Sequence, residues 1–309
     1  MIYVLSPLFR TGGVELLHQL AHELSRYTGV QMFYTSHGDP IDEYAYCQTE
    51  YVYELPDNDD FVIVPEIYAR ANIGQHRRVI FWESVDNYLA RSDDTNFDPS
   101  IIHLAQSEYA WDFLINVVKA KNVMRVSDYI NEEFLEPYDE KQPRKPIVLY
   151  NPAKGMQYTQ KVIDAMPDVQ FLPLSGLSRT VLRNIMRGSM LYIDLGDHPG
   201  KDRMPREAAA SGCCVLTSRE GSAMYWEDVP IPNHHKIERT DVDKITKRIR
   251  AILGHYELWI CDFRYYQAQI KVEKQIFQYA VKCLAAVLLM DTDLMMEVIN
   301  EIQHYHSST

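Results

Sequence analysis

Short apolar runs and amphipathic stretches take turns along the first half of this chain. Residues 2–5, 30–35, 61–64, 79–82 and 101–105 are apolar runs of strand length. Behind a turn at residues 10–13, residues 14–27 carry Leu17, Leu20, Ala21 and Leu24 at helical spacing. Ser107 is placed to cap a further helix, with Trp111, Leu114, Ile115 and Val118 on its buried face. Continuous rather than alternating apolar strands, separated by helices, predict a parallel sheet covered on both faces.

The pattern stops at residues 138–146, a polar, charged, proline-bearing segment that reads as a linker. It then restarts, with strands at 147–150, 169–174, 190–195 and 213–217 and a helix at 157–165. Beyond residue 240 the chain reads as helical: Val242, Ile245, Ile249 and Ile252 share one face, and residues 256–304 contain neither proline nor glycine. The predicted fold class is α/β, two Rossmann-like domains facing across a cleft, with C-terminal helices. The boundaries are 1–140, 146–270 and a helical segment 271–309. Three readings of that segment stay open: a return to the first domain, a helical pair on the second, or a dimer surface. In open α/β sheets ligands bind at the carboxyl ends of the strands, which is where candidate site residues are sought.

Composition narrows the class. A length of 309 residues with 46% hydrophobic content suits two domains of ordinary size. Residues 1–140 hold 9 Lys+Arg against 24 Asp+Glu, a net of −15, while the remainder holds 22 against 19, a net of +3. The acidic first half is a poor surface for nucleic acid. The five cysteines have no metal-ligand spacing, and Cys213 and Cys214 fall in a predicted buried strand, as expected of reduced core thiols. The first residues read as a strand rather than a leader, and no window approaches the ~20 apolar residues of a membrane span. These features lead to an expectation of a cytoplasmic protein.

The densest chemistry lies between Asp194 and Ser218. A strand is broken by Gly196, Pro199 and Gly200, and Lys201, Arg203 and Arg206 then bring positive charge. Pro205 suits the first turn of a helix that continues through small residues to Gly212. Cations beside a helix N-terminus make a ready anion site. Glu207, one turn inside, is placed to accept hydrogen bonds from hydroxyl groups. The competing expectation for any one of these cations is an ion pair with Asp197 or Asp202. His198, ahead of Pro199, is a candidate donor to a phosphate or sugar oxygen, against the plainer role of a turn residue.

The segment EAAASGCCVLTS, beginning at Glu207, resembles the donor-binding segment of GT-B-fold glycosyltransferases, in particular the retaining family 4 type. The family carries a second acid eight residues earlier, where this chain has Pro199. Further segments follow in the same order. GGVELLHQLAHEL from Gly12 resembles the first glycine turn and helix. IHLAQSEYAWDFL at 102–114 resembles a late strand, serine and helix of the first domain, and YINEEF at 129–134 the stretch before the linker. IVLYNPAKG, ending at Lys154 and Gly155, and FLPLSG, ending at Ser175 and Gly176, resemble the opening strands and turns of the donor domain.

The resemblance implies a glycosyltransferase that moves a sugar from a nucleotide-sugar donor to a glycan or lipid-linked acceptor, with retention, in polysaccharide or cell-envelope synthesis. It implies a donor site built from Gly12, Gly13, Lys154, Ser175, Gly176, Lys201, Arg203, Arg206, Glu207 and Gly221, with cations stabilising the departing phosphate. No metal or other cofactor is expected, the nucleotide-sugar being a co-substrate. Asp291 and Asp293 read as a helix cap, and the pair His234–His235 as a surface loop with no third ligand at zinc spacing. On the acceptor side Glu83 and Asp86 follow a strand and could orient or deprotonate a hydroxyl, and Trp82 and Tyr88 could stack on sugar rings. Glu83, Asp86 and His198 form the catalytic candidates. Peripheral contact with the inner face of a membrane is a further expectation. The alternative, motivated by Pro199, is a catalytically silent relative that binds a nucleotide or a partner.

Overall fold

The computed structural model describes residues 1–39 and 41–308. The chain divides into two compact units, one of Met1–Asp128 with Lys274–Thr309, the other of Tyr129–Glu273.

In the first unit, β1 (Ile2–Ser6) leads to α1 (Gly12–Leu24), then β2 (Val30–Tyr34), β3 (Tyr51–Val52), β4 (Phe61–Pro65), β5 (Arg77–Trp82), α2 (Val85–Leu89), β6 (Ile102–Ala105), α3 (Glu108–Phe113) and β7 (Asn122–Arg125). The strands form one parallel sheet in the order β3-β2-β1-β4-β5-β6-β7. All five residues of β1 are buried, as a central strand covered on both faces requires. The strands Tyr51–Val52 and Asn122–Arg125 escape the apolar pattern because they are short edge strands with exposed positions.

In the second unit, β8 (Lys145–Tyr150), α4 (Met156–Asp164), β9 (Gln170–Pro173), α5 (Arg179–Arg187), β10 (Ser189–Asp194), α6 (Arg203–Ala210) and β11 (Cys214–Thr217) give a parallel sheet in the order β11-β10-β8-β9. The helices α7 (Val242–Gly254) and α8 (Tyr256–Trp259) follow. Val148, Leu149, Leu191, Tyr192, Val215 and Leu216 are fully buried in its core, where Ile245, Ile249 and Ile252 of α7 also pack. Helix α9 (Arg264–Leu289) begins in this unit, and α10 (Thr292–Ser308) ends the chain in the first. Phe277, Val281 and Leu284 of α9 are buried, and Gln278 donates to Glu23 of α1 at 3.2 Å. Asp291 accepts from the backbone N–H groups of Asp293 and Leu294, the capping role expected of it. All five cysteines are free. No helix among the described residues is long and apolar enough to cross a membrane.

Strand order locates the crevices. The direction of winding reverses between β1 and β4 in the first sheet and between β8 and β10 in the second. Ligand sites of doubly wound sheets lie outside the carboxyl ends of the strands at such points.

Candidate functional site

At the carboxyl ends of β8 and β10, two loops lie side by side because glycines let them. Gly155 has φ +59°, and a Cβ there would fall 2.5 Å from the carbonyl oxygen of Leu195. Gly196 lies against the Lys154 side chain in the same way. Lys154 reaches the carboxylate of Asp202, and His198 Nδ1 lies 3.0 Å from the other oxygen of that carboxylate. Asp194 accepts from Tyr192 Oη at 3.0 Å and from the Gly196 N–H at 3.1 Å. Burial pulls the His198 pKa down, but Asp194 and Asp202 outweigh it and the net shift is upward. Burial likewise opposes the charge of Lys154, and Asp202 and Asp194 restore it with a net upward shift. Burial would raise the pKa of Asp202, but Lys154 and His198 hold it far below the usual carboxylate range. Lys154 and Asp202 therefore stay ionised at neutral pH, and the shift at His198 favours its charged form.

The loop after β10 is tied down from β11 and the turn behind it. Ser218 donates to the carbonyl of Gly196 at 2.6 Å, Ser222 to that of Gly200 at 2.6 Å, and the Ser222 N–H to that of His198 at 2.9 Å. Gly221, at φ +48°, passes so close to the His198 carbonyl that a Cβ would sit 2.1 Å from its oxygen. Loop positions 196–202 are thus fixed before any ligand arrives.

Helix N-termini differ in a way that bears on ligands. Thr11, Ser84, Ser107, Ser178 and Asp241 cap α1, α2, α3, α5 and α7 with their own side chains. Helices α4 and α6 have no side-chain cap: Gly155 has no side chain to offer, and Asp202 has turned its carboxylate to Lys154 and His198. The first N–H groups of a helix carry partial positive charge and call for acceptors. Two such ends and the ammonium of Lys154 meet at the switch point of this sheet.

The donor candidates do not all lie open. Arg206 is 0% exposed, and its guanidinium is used by the carbonyls of Lys201 at 2.8 Å and Asp202 at 3.1 Å and by Glu273 at 3.0 Å. Lys201 bridges to the same carboxylate at 2.9 Å. Arg206 is thus enclosed by its counter-ion and backbone carbonyls, and the partly buried Lys201 shares that counter-ion, which leaves Arg206 little face for a phosphate. The His198 side chain is also 0% exposed, so its expected role as a donor to substrate is corrected to holding Asp202. Asp197 pairs with Arg239. Arg203 and Glu207 lie half-buried in α6, and Ser175 and Gly176 form an exposed turn after β9 with Gly176 at φ +66°.

In the first unit Gly12 and Gly13 open α1, and a Cβ on Gly13 would fall 2.1 Å from Glu83 Oε2. The structure thus brings Gly13 and Glu83 together, and any side chain at Gly13 must displace that carboxylate. Asp86 of α2 accepts from Tyr109 Oη of α3 at 2.7 Å. Trp82 and Tyr88 are 0% and 2% exposed and pack on one another, with Trp82 donating to His103 at 3.0 Å. Their expected stacking on sugar rings is corrected: they are core residues.

Glu66, missed in the sequence because it reads as an ordinary turn acid after β4, is the notable group here. It is 3% exposed and accepts from the Glu83 N–H at 3.0 Å. Burial pushes its pKa from 4.5 to about 7, against the backbone N–H groups and Arg91, which pull it down. The folded state therefore binds a proton that the unfolded chain releases, and stability from this group is full below pH 4.5 and lost as pH rises towards 7. Relative to the parent, Glu66→Gln should gain roughly 3 kcal/mol between pH 4.5 and 7 and nothing further above that. Urea unfolding at pH 5 and pH 8 measures this, and parallel pH slopes for both proteins would refute it.

Among the described residues, two sets of three side chains have donor atoms within 4.8 Å of one another, Asp194–His198–Asp202 and His234–His235–Asp262. In the second, Asp262 supplies in space the third ligand that spacing in the sequence did not show. Its carboxylate accepts from both imidazoles, at 2.8 and 2.9 Å.

No protein-family model matches the chain, and no curated protein matches it by sequence. Solved structures do match. A glycosyltransferase from Rickettsia africae ESF-5 is 12% identical with a TM-score of 0.55, over 96% of this chain and 98% of its own. Anabaena HepE in complex with UDP and glucose is 12% identical with a TM-score of 0.65, over 92% and 99%. WaaG, a glycosyltransferase involved in lipopolysaccharide biosynthesis, is 13% identical with a TM-score of 0.61, over 93% and 99%. At such identities the likeness defines the fold: two parallel-sheet α/β units with C-terminal helices, of the GT-B type.

Proposed function

We propose that this chain is a glycosyltransferase that takes a sugar from a nucleotide-sugar donor and passes it to a glycan or lipid-linked acceptor. The observation that carries the reading is the meeting of Lys154 with the N-termini of α4 and α6, neither side-chain capped, at the switch point of the second sheet. That arrangement is suited to a diphosphate: main-chain N–H groups take its oxygens and the ammonium offsets the charge that builds on the leaving group. Glu207 is proposed to accept from the ribose hydroxyls, and Arg203 to add charge at the same loop. Lys201 and Arg206 support the loop from beneath. In the first unit Glu83 is proposed to act on the acceptor hydroxyl, and its raised-pKa neighbour Glu66 to fix the backbone that carries it.

Retention, a setting in polysaccharide or cell-envelope synthesis and action without a metal are proposed from the resemblance in the sequence, and a cytoplasmic location from its cysteine usage and apolar pattern. UDP is the first nucleotide to test, since HepE has been solved with UDP and with UDP-glucose. Calorimetric titration of UDP should show binding that Glu207→Gln weakens about tenfold, the loss of one hydrogen bond to a charged group. Equal affinity in the variant would remove Glu207 from the ribose.

A second reading, binding without transfer, is favoured by two observations. Pro199 replaces the second acid, and the loop cations Lys201 and Arg206 are held by Glu273. Slow release of UDP from a UDP-sugar in the absence of acceptor separates a working transferase from a silent binder.

A further inference from the structure

Away from Lys154 and the α4 and α6 N-termini, the second unit contains a cavity of about 590 Å³, a size ordinary for small-molecule sites. One wall is a face of α7, from which Lys244, Lys247, Arg248 and Ala251 project at the i, i+3, i+4, i+7 spacing of one helix side. The opposite side of α7, with Ile245, Ile249 and Ile252, is in the core. The other wall supplies Arg219 and Lys236, and Trp259 completes the lining with His234. Five cationic residues thus line the cavity against one acidic one, Glu238, in a chain whose net charge is −12, and one of the five, Lys244, pairs with Asp241 at 2.8 Å.

Charge alone would describe a solvated surface. Two further facts do not fit that description. Lys236 is 3% exposed, so one of the five cations is buried. Arg248 Nη1 and Trp259 Nε1 are buried donors with no hydrogen-bond acceptor, although the Arg248 guanidinium lies 4.6 Å above the Trp259 ring. Buried donors of this kind normally have partners. Arg219 keeps the wall in shape by donating to the carbonyls of Lys236 and Asn233. A metal is disfavoured beside the His234–His235–Asp262 group, because the surrounding cations repel a further positive charge.

We infer that this cavity is a second anion site of the chain, for a phosphate monoester carried either by a small metabolite or by a lipid headgroup. A phosphate dianion offers oxygens enough for the forked Arg248, the Trp259 N–H and the two lysines of α7, and it satisfies the excess charge. The site shares no residue with the proposed donor site and does not depend on it.

Glycerol 3-phosphate and phosphatidylcholine vesicles with and without phosphatidic acid present the same monoester free and in a bilayer. The whole chain is titrated with the first by calorimetry and sedimented with the second. The double variant Lys244→Gln/Arg248→Gln should bind at least about tenfold more weakly, while retaining the parent's affinity for UDP. Lys154→Ala should leave glycerol 3-phosphate binding unchanged. Binding of free glycerol 3-phosphate identifies a metabolite site, and sedimentation only with phosphatidic acid identifies a headgroup site; either supports the inference. Lys247→Gln, an exposed single change on the same face, gives the reading if the double variant does not fold. Absence of binding in both formats, binding undiminished by these variants, or binding lost in Lys154→Ala would overturn it.

Discussion

Replacing Glu273 with Ala should lower the unfolding free energy by about 3–5 kcal/mol, the cost of breaking a buried ion pair from one side. Glu273 is 7% exposed and holds Lys201 at 2.9 Å and Arg206 at 3.0 Å. Arg206, fully buried, would keep its charge and its two carbonyl partners and lose the Glu273 carboxylate. No water can reach a side chain so enclosed without opening the start of α6, so the penalty falls on the loop that ends in Asp202. Glu273→Gln should lie between parent and Ala, since it keeps a hydrogen-bonding oxygen without the charge. The pair Arg206→Met/Glu273→Leu should recover much of the loss, because removing both charges also removes their desolvation. Urea unfolding of the four proteins measures each step, and a loss below about 1 kcal/mol for Glu273→Ala would show that the pair does not hold the loop.

The frame of this molecule was legible in the chain because buried parallel strands write themselves as apolar runs. Residues 61–64 and 79–82 were predicted as strands and are found as Phe61–Pro65 and Arg77–Trp82. Edge strands such as Tyr51–Val52 carry no such run, and α5 is too short for its apolar face of Leu182, Ile185 and Met186 to stand out among its charged residues. At the site, the local signals were legible: Gly155 and Gly221 are where backbones pass too closely for a side chain. Long-range pairing was not. Glu273 stands in a helix 67 residues after Arg206, and nothing in the spacing joins them. Burial of Trp82, Tyr88 and His198 was equally hidden, since an aromatic or imidazole side chain near a strand end reads the same whether it faces a ligand or the core.

The sharpest test of the donor site is Lys154→Ala, which should weaken UDP binding about 100-fold. A charge-assisted hydrogen bond to a phosphate accounts for roughly 1.5–3 kcal/mol, or about 10- to 100-fold. The upper end is expected because removal of the ammonium has a second effect. Asp202 is held ionised by Lys154 and His198 together, and without Lys154 its carboxylate stands at the start of α6 with His198 as its remaining partner in this group. A negative charge left at that helix end repels a diphosphate and cancels part of the attraction of the N–H groups. Asp202→Asn in the Lys154→Ala background should therefore restore part of the affinity, whereas a simple lost contact would not be rescued by a second change. The rescue also separates repulsion from misfolding, since a collapsed loop would bind no better after losing another of its ties. Titrations of UDP into parent, single and double variants decide it, and equal affinity in parent and Lys154→Ala would place the phosphates elsewhere.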